Sequence, residues 1–356
     1  MRLSPPCGRP LLYTGQWVSL FFIKDQQMDK KKLRDSVFRI QSPAQFNQVA
    51  VEVFRYQYTH NVVYRKYCDA LGVQPQKILN HTQIPFLPIG FFKNHRIATF
   101  EGEPKVTFTS SGTTGAQTSR HLIKDVNIYR ESFVKAFEMF FGKPEEYHIL
   151  ALLPGYLERK GSSLVYMVHE LIKLSNSPHS GFYLDELDLL QQKIERLEKD
   201  PRKVLLLGVS FALLDMAEKH PVNHPRLLVM ETGGMKGRRK ELVREELHDI
   251  LCGAFGVENV ASEYGMTELL SQAYSYGKGI FSTPPWMKVL IRDMNDPFHI
   301  LAPGLSGGVS VIDLANLESC SFIATQDLGR QLPGNTFGIT GRYDNSDVRG
   351  CNLMIE

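Results

Sequence analysis

Cysteine is scarce in this chain, five among 356 residues. Cys7, Cys68, Cys252, Cys320 and Cys351 stand far apart without paired spacing, which argues against a disulfide framework or a zinc site and fits a reducing cytoplasm. Excess charge is lacking too: 41 Lys and Arg against 38 Asp and Glu leave +3, too little at this length to point to nucleic acid. No apolar run is long enough to span a bilayer. The candidate, Leu11 to Ile23, is broken by Gln16 and followed by Lys24-Asp25-Gln26-Gln27 in place of a small-residue cleavage site. Met28 reads as a natural start, so residues 1–27 are expected to form a poorly ordered leader. Internal repeats and low-complexity tracts are absent.

What is present begins with a Gly- and hydroxyl-rich stretch, Ser110-Ser111-Gly112-Thr113-Thr114-Gly115, between the β-rich run Lys105–Phe108 and an apolar run from His121. Glycines allow tight turns and close approach, and backbone amides with Ser and Thr hydroxyls offer donors to an anion, so the stretch suits a polyphosphate. No Gly-Lys-Ser/Thr follows, which excludes the P-loop. Alone, the stretch is equally a surface turn.

Upstream, Phe38, Ile40, Phe46, Val49, Val53, Phe54 and Tyr58 recur at helical spacing, with Ser42-Pro43 as a helix start. Two prolines make Ile84–Phe92 an apolar connector and not a central strand. Downstream, strands and helices alternate. Strands are expected at Tyr147–Leu153, Val204–Val209, Leu227–Met230 and near Val260. Helices are expected from Ser162-Ser163 to Leu174, from Leu187 to Leu197 and from Arg238 to Phe255. Such alternation implies a mainly parallel sheet covered by helices, with ligands at the carboxyl ends of its strands. From Phe281 the texture turns to short strands. The expected division is a leader at 1–27, an α/β core at 28–280 and a β-rich part with a tail at 281–356.

Chemistry-bearing residues fall where strands end. Gly233-Gly234 lets a planar ring approach the backbone. Glu263-Tyr264-Gly265-Met266-Thr267-Glu268 gathers an aromatic ring, a hydroxyl and a carboxylate able to hold Mg²⁺. Asp327, in Thr325–Gly329, suits ribose hydroxyls, and Arg342, in Gly341–Asp344, suits ribose or phosphate. Singly, each is as readily a turn with a solvated charge.

In this order, SSGTTG, ETGG, EYGMTE, TQDLG and GRYD resemble the core motifs of the acyl-adenylate-forming superfamily, from about Thr107 to the C-terminus. Ile84–Ile89 with Phe91-Phe92-Lys93, Leu153–Arg159, Gly233-Gly234-Met235-Lys236 and Arg349-Gly350-Cys351 resemble, more narrowly, the bacterial acyl-protein synthetases (LuxE-like). The resemblance implies an α/β fold: the large N-terminal domain of that superfamily, helix-covered sheets plus a small β-rich subdomain, without the mobile C-terminal domain. It implies ATP and Mg²⁺ as cofactors, a carboxylic acid substrate, fatty acids foremost, and an acyl-CoA-reductase-like protein partner. It gives Ser110, Ser111, Gly112, Thr113, Thr114 and Gly115 the phosphates, and Gly233, Gly234 and Tyr264 the adenine. Thr267 takes the α-phosphate, Glu268 the metal, Asp327 the ribose, and Arg342 ribose or phosphate. Cys351 stands where the family's acyl-accepting cysteine stands.

Gln117-Thr118 replace the Pro-Lys that most of the superfamily carries after the loop, leaving Arg120 or Lys236 as candidate cations. The mechanism this implies is adenylation of an acid followed by acyl transfer to the Cys351 thiolate, with Arg349 nearby to favour that thiolate. Two other readings stay open: a CoA-dependent ligase of the phenylacetate type, and an inactive nucleotide-binding scaffold. Cys68, Cys252 and Cys320 read as packed core, and His148 and His169 as structural.

Overall fold

The computed structural model describes residues 30–110, 117–154, 161–184, 186–234 and 242–343. The expected leader, Ser111–Gly115, Lys236, Arg349 and Cys351 lie outside the described residues.

Helices α1 (Lys30–Val37), α2 (Pro43–His60) and α3 (Val62–Ala70) come first. α2 starts where Ser42-Pro43 directs it. The Ser42 hydroxyl accepts from the Gln45 N–H, and Pro43 takes a first-turn position, where a missing N–H is not needed. Phe46, Val49, Val53 and Phe54 are buried as the spacing requires, whereas Phe38 and Ile40 fall between α1 and α2. Asn61 ends α2 and caps α3, accepting from Val63 and Tyr64. The proline-bearing connector contributes a two-residue strand, β1 (Leu87–Pro88), and a short helix, α4 (Phe91–Asn94).

Strands β2 (Val106–Thr109) and β3 (Arg120–Ile123) pair antiparallel on either side of the Gly-rich stretch, and α5 (Val126–Phe141) follows, capped by Asp125. Then come β4 (Tyr147–Leu152), α6 (Ser163–Ser175), β5 (Gly181–Tyr183), α7 (Leu187–Arg196), β6 (Lys203–Gly208), α8 (Ser210–Lys219), β7 (Leu227–Glu231), α9 (Arg244–Phe255), β8 (Ala261–Tyr264) and β9 (Ala273–Ser275). The sheet order is β5-β4-β6-β7-β8-β9, parallel except for β9. β4 is buried at every residue and β6 from Val204 onward, as strands in a covered parallel sheet must be. The helix expected from Arg238 is described from Arg244. β6 ends on Gly208, where a Cβ would lie 2.9 Å from Leu213 and 3.1 Å from the Leu152 carbonyl, so only glycine lets α8 turn back so sharply.

β10 (Met287–Arg292), β11 (Ser306–Asp313), β12 (Phe322–Leu332) and β13 (Thr336–Arg342) form an antiparallel sheet. β1 joins β12 in parallel at the edge, where strand prolines are tolerated. The connection Leu314–Ser321 between β11 and β12 is buried throughout. Its polar groups are all engaged: Gln57 donates to the Asn316 carbonyl, Asn61 to the Ser319 carbonyl, and Glu318 accepts from the N–H groups of Lys124 and Asp125. This segment therefore ties the first helices, the β2–β3 hairpin and the last sheet together. Among the described residues, no helix is long and apolar enough to cross a membrane.

Candidate active site

The ends of the Gly-rich stretch are held together at the root of the hairpin. The Ser110 N–H donates to the Ser119 carbonyl at 3.2 Å, and the Ser119 N–H donates to the Ser110 hydroxyl at 2.9 Å. The Ser119 side chain in turn faces the carboxyl of Glu268, which is buried. Burial holds Glu268 above the usual carboxylate range, against the Ser119 side chain and the positive charges of Arg342 and Lys93. A buried carboxyl beside a Gly- and hydroxyl-rich stretch fits a hard divalent cation. Among the described residues no group of three or more His, Cys, Asp or Glu surrounds it.

The backbone carrying Thr267 and Glu268 is fixed from beneath. His121 Nδ1 lies 2.8 Å from the Thr267 carbonyl. The Asn316 amide donates to the Glu268 carbonyl at 2.8 Å and to the Cys320 carbonyl at 3.0 Å, which turns its oxygen toward His121 Nε2 at 3.0 Å. Asp313 then accepts from the N–H groups of Leu270 at 2.7 Å and Ser271 at 3.0 Å. Burial pushes His121 down to about 4, against the opposing pull of its bonds to Thr267 and Asn316.

Tyr264, Asp327 and Arg342 converge beside this loop. The Tyr264 hydroxyl donates to Asp327 Oδ2 at 2.7 Å, and Asp327 stands opposite Arg342 in the β12–β13 register. Burial first, then their proximity, keeps the Tyr264 hydroxyl protonated, and burial raises Asp327 against the Tyr264 bond and Arg342. The Arg342 charge is felt by Tyr264, Asp327 and Glu268 alike, and its exposed guanidinium donates to Gln326 Oε1 at 3.2 Å. Phe281 and Phe337 hold the Tyr264 ring edge-on, at 5.9 and 5.6 Å.

Gly233 and Gly234 adopt φ of 71° and 94°, the left-handed region that favours glycine. The Gly233 N–H donates at 2.6 Å to Glu231, the last residue of β7. Burial would raise Glu231, but His248, Arg244, Ser262 and this N–H hold it below the ordinary range. Glu263, at the end of the adjacent β8, is pushed up to about 8 by burial and by Glu231. Two neighbouring glutamates thus differ in charge at neutral pH, a pattern common where acid and base roles are divided.

Of the residues singled out from sequence, Ser110, Thr267, Glu268, Tyr264, Asp327 and Arg342 are brought together through these contacts. Arg120 is exposed on β3 opposite Thr109. Phe92 is fully buried, edge-on to His121 at 5.8 Å, and is core packing. Cys68 and Cys320 are buried as expected, with burial pushing the Cys68 thiol up to about 12, whereas Cys252 is only partly buried. His148 is buried and bonds the Ser177 hydroxyl, and His169 is exposed on α6. Sequence reading missed His121, Asn316, Asp313 and Ser119. No local signal marks them, since Asn316 serves partners 48 and 195 residues away. Glu231 and Glu263 opened motifs already quoted, and their position at strand ends was the available signal. Two cavities, of about 290 Å³ (Leu71, Ile84, Phe86, Ile300 among its walls) and about 720 Å³ (His60, Val63, Arg96, Phe100), are lined by other residues. The site is recognised by its convergent polar groups.

A family profile described as "Acyl-protein synthetase, LuxE" matches residues 23–356. A long-chain-fatty-acid–luciferin-component ligase of Vibrio harveyi is 25% identical over 326 residues, covering 85% of this chain and 85% of that protein. A protein of the same description from Photorhabdus luminescens is 38% identical over 72 residues, covering 20% of this chain and 61% of that protein. Among solved structures, 2-hydroxyisobutyryl-CoA ligase in complex with 2-HIB-AMP and CoA aligns with a TM-score of 0.63 at 14% identity, over 86% of this chain and 70% of that one. ATP-bound MatB from Rhodopseudomonas palustris aligns with a TM-score of 0.51 at 16% identity, over 68% of this chain, and the match spans about half (49%) of MatB. At these identities the solved structures establish the fold, that of the adenylate-forming ligases.

Proposed function

The chain belongs to the LuxE acyl-protein synthetase family, and on that footing we propose that it activates a carboxylic acid, a fatty acid foremost, with ATP and passes the acyl group to Cys351. The acid's carboxylate oxygen attacks the α-phosphorus of ATP, the bond to pyrophosphate breaks, and acyl-AMP forms. The Cys351 sulfur then attacks the acyl carbon, the bond to AMP breaks, and a thioester stands on the protein, ready for delivery to an acyl-CoA-reductase-like partner. Mg²⁺, held by Glu268 and phosphate oxygens, supplies neutralising charge when bound.

The chain's own groups have distinct tasks in this reading. Donors from Ser110 to Gly115 bind the phosphates, and the Thr267 hydroxyl binds the α-phosphate. Asp327 accepts from ribose hydroxyls, in place of or beside the Tyr264 hydroxyl it binds now. Tyr264 and the backbone at Gly233 and Gly234 receive the adenine. Arg342 bonds ribose or phosphate, and Lys236 is a candidate for the replacing cation. Fixed donors of this kind work best when their support is rigid, and the buried clamp under Thr267 and Glu268 is such a support.

The observation that carries the reading is the meeting of chain segments far apart in sequence: Ser119 faces Glu268, and Tyr264 bonds Asp327 at 2.7 Å across from Arg342. The burial of Cys68 and Cys320 supports an acceptor elsewhere in the chain. The test is acid-dependent exchange of labelled pyrophosphate into ATP, run over a panel of carboxylic acids. Exchange that requires Mg²⁺ and falls about 100-fold or more in Glu268→Gln supports the proposal. Acid-independent exchange, or none with any acid, contradicts it.

A further inference from the structure

Gln117-Thr118 stand where most of the superfamily carries Pro-Lys after the Gly-rich stretch. Helix α4 is pinned to the exit of the Gly-rich stretch at two points. Its buried Phe92 packs edge-on against His121 of β3 at 5.8 Å, and the Gln117 side chain donates to the Lys93 carbonyl at 2.8 Å. Gln117 is the first described residue after that stretch. The backbone of Lys93 is therefore fixed beside the hairpin root while its side chain is exposed. Among the described residues no carboxylate lies within ion-pair distance of the Lys93 ammonium group. Its charge is nevertheless felt by Glu268, together with that of Arg342. Arg120, the cation nearest in sequence, is exposed on β3.

We propose that Lys93 is the phosphate-binding cation of this site: its ammonium group binds the β- and γ-phosphate oxygens of the nucleotide and, after adenylation, the departing pyrophosphate. A lysine suits this task, since a compact charge on a flexible stem follows the phosphates as they leave. Lys93 would then hold the polyphosphate from the connector, while Glu268, in the loop after β8, would hold Mg²⁺. AMP, which lacks the outer phosphates, is bound without Lys93.

The inference rests on the adenylating reading of the site, and the test separates the two. Dissociation constants for ATP, inorganic pyrophosphate and AMP, all with Mg²⁺, are measured by calorimetry for the wild type, Lys93→Gln, Lys93→Arg and Arg120→Gln. Lys93→Gln is expected to weaken ATP and pyrophosphate about tenfold, the size of one charge-assisted hydrogen bond, and to leave AMP unchanged. Lys93→Arg is expected to recover most of the loss. The side chain is exposed, so melting temperatures should match the wild type. Equal ATP binding by the wild type and Lys93→Gln overturns the inference alone, as does a loss in Lys93→Gln that AMP shares equally. A selective loss confined to Arg120→Gln also overturns it. A wild type that binds no ATP removes the adenylating reading and this inference together.

Discussion

Glu263 is a carboxyl in an unusual state. It closes β8 with Glu231 on the neighbouring strand, Tyr274 opposite it on β9 and Tyr129 of α5 close enough to feel its charge. Its value near 8 lies far above the ordinary glutamate value of about 4.3. Between roughly pH 4.3 and 8 the unfolded chain ionises this group while the folded chain keeps it neutral. The folded state then binds more protons, so the stability it contributes is full below the unfolded value and is lost as pH rises toward 8. Glu263→Gln mimics the neutral acid and removes the dependence. The difference in melting temperature, variant minus wild type, should be near zero at pH 4, grow through pH 8 and level off above it. A difference that stays flat from pH 4 to 9 contradicts this assignment. Glu231 behaves oppositely because four partners offset its burial.

At the scale of elements, the loop after β8 is shaped less by its own sequence than by the buried segment between β11 and β12. Asn316 donates to the carbonyls of two buried residues, Glu268 and Cys320. Asn316→Ala leaves both carbonyls unpaired and should cost about 2 kcal/mol in urea denaturation. It should also lower pyrophosphate exchange, since Glu268 loses its support, whereas an unchanged midpoint would show that the clamp carries no stability. This is also where sequence reading reached its limit. Helices such as α2 were legible because Ser42-Pro43 and the spacing of Phe46, Val49 and Val53 are local signals. The parallel order of β4, β6 and β7 followed from apolar runs alternating with amphipathic ones. Thr267, Glu268, Asp327 and Arg342 were legible only as members of an ordered series. His121 and Asn316 were not legible at all, because their meaning is a contact made across the fold.

At the scale of the whole molecule, two sheets with different jobs meet at one place. The parallel sheet presents the ends of β7 and β8, with Glu231, Gly233, Glu263 and Tyr264. The antiparallel sheet presents Asp327 and Arg342 from paired strands, and the β2–β3 hairpin brings Ser110 and Ser119. Ligands at the carboxyl ends of parallel strands are the general rule, and here the second sheet closes the site from the other side. In the proposed reading, adenylation takes place at that meeting point and the acyl group then passes to the Cys351 thiol. The most direct measurement is therefore the intact mass of the protein after incubation with ATP, Mg²⁺ and a fatty acid. The account predicts a mass gain equal to the acyl group that requires ATP, is removed by neutral hydroxylamine and disappears in Cys351→Ala. An adduct that persists in Cys351→Ala, or acyl-CoA formed from added CoA with no adduct at all, would contradict it.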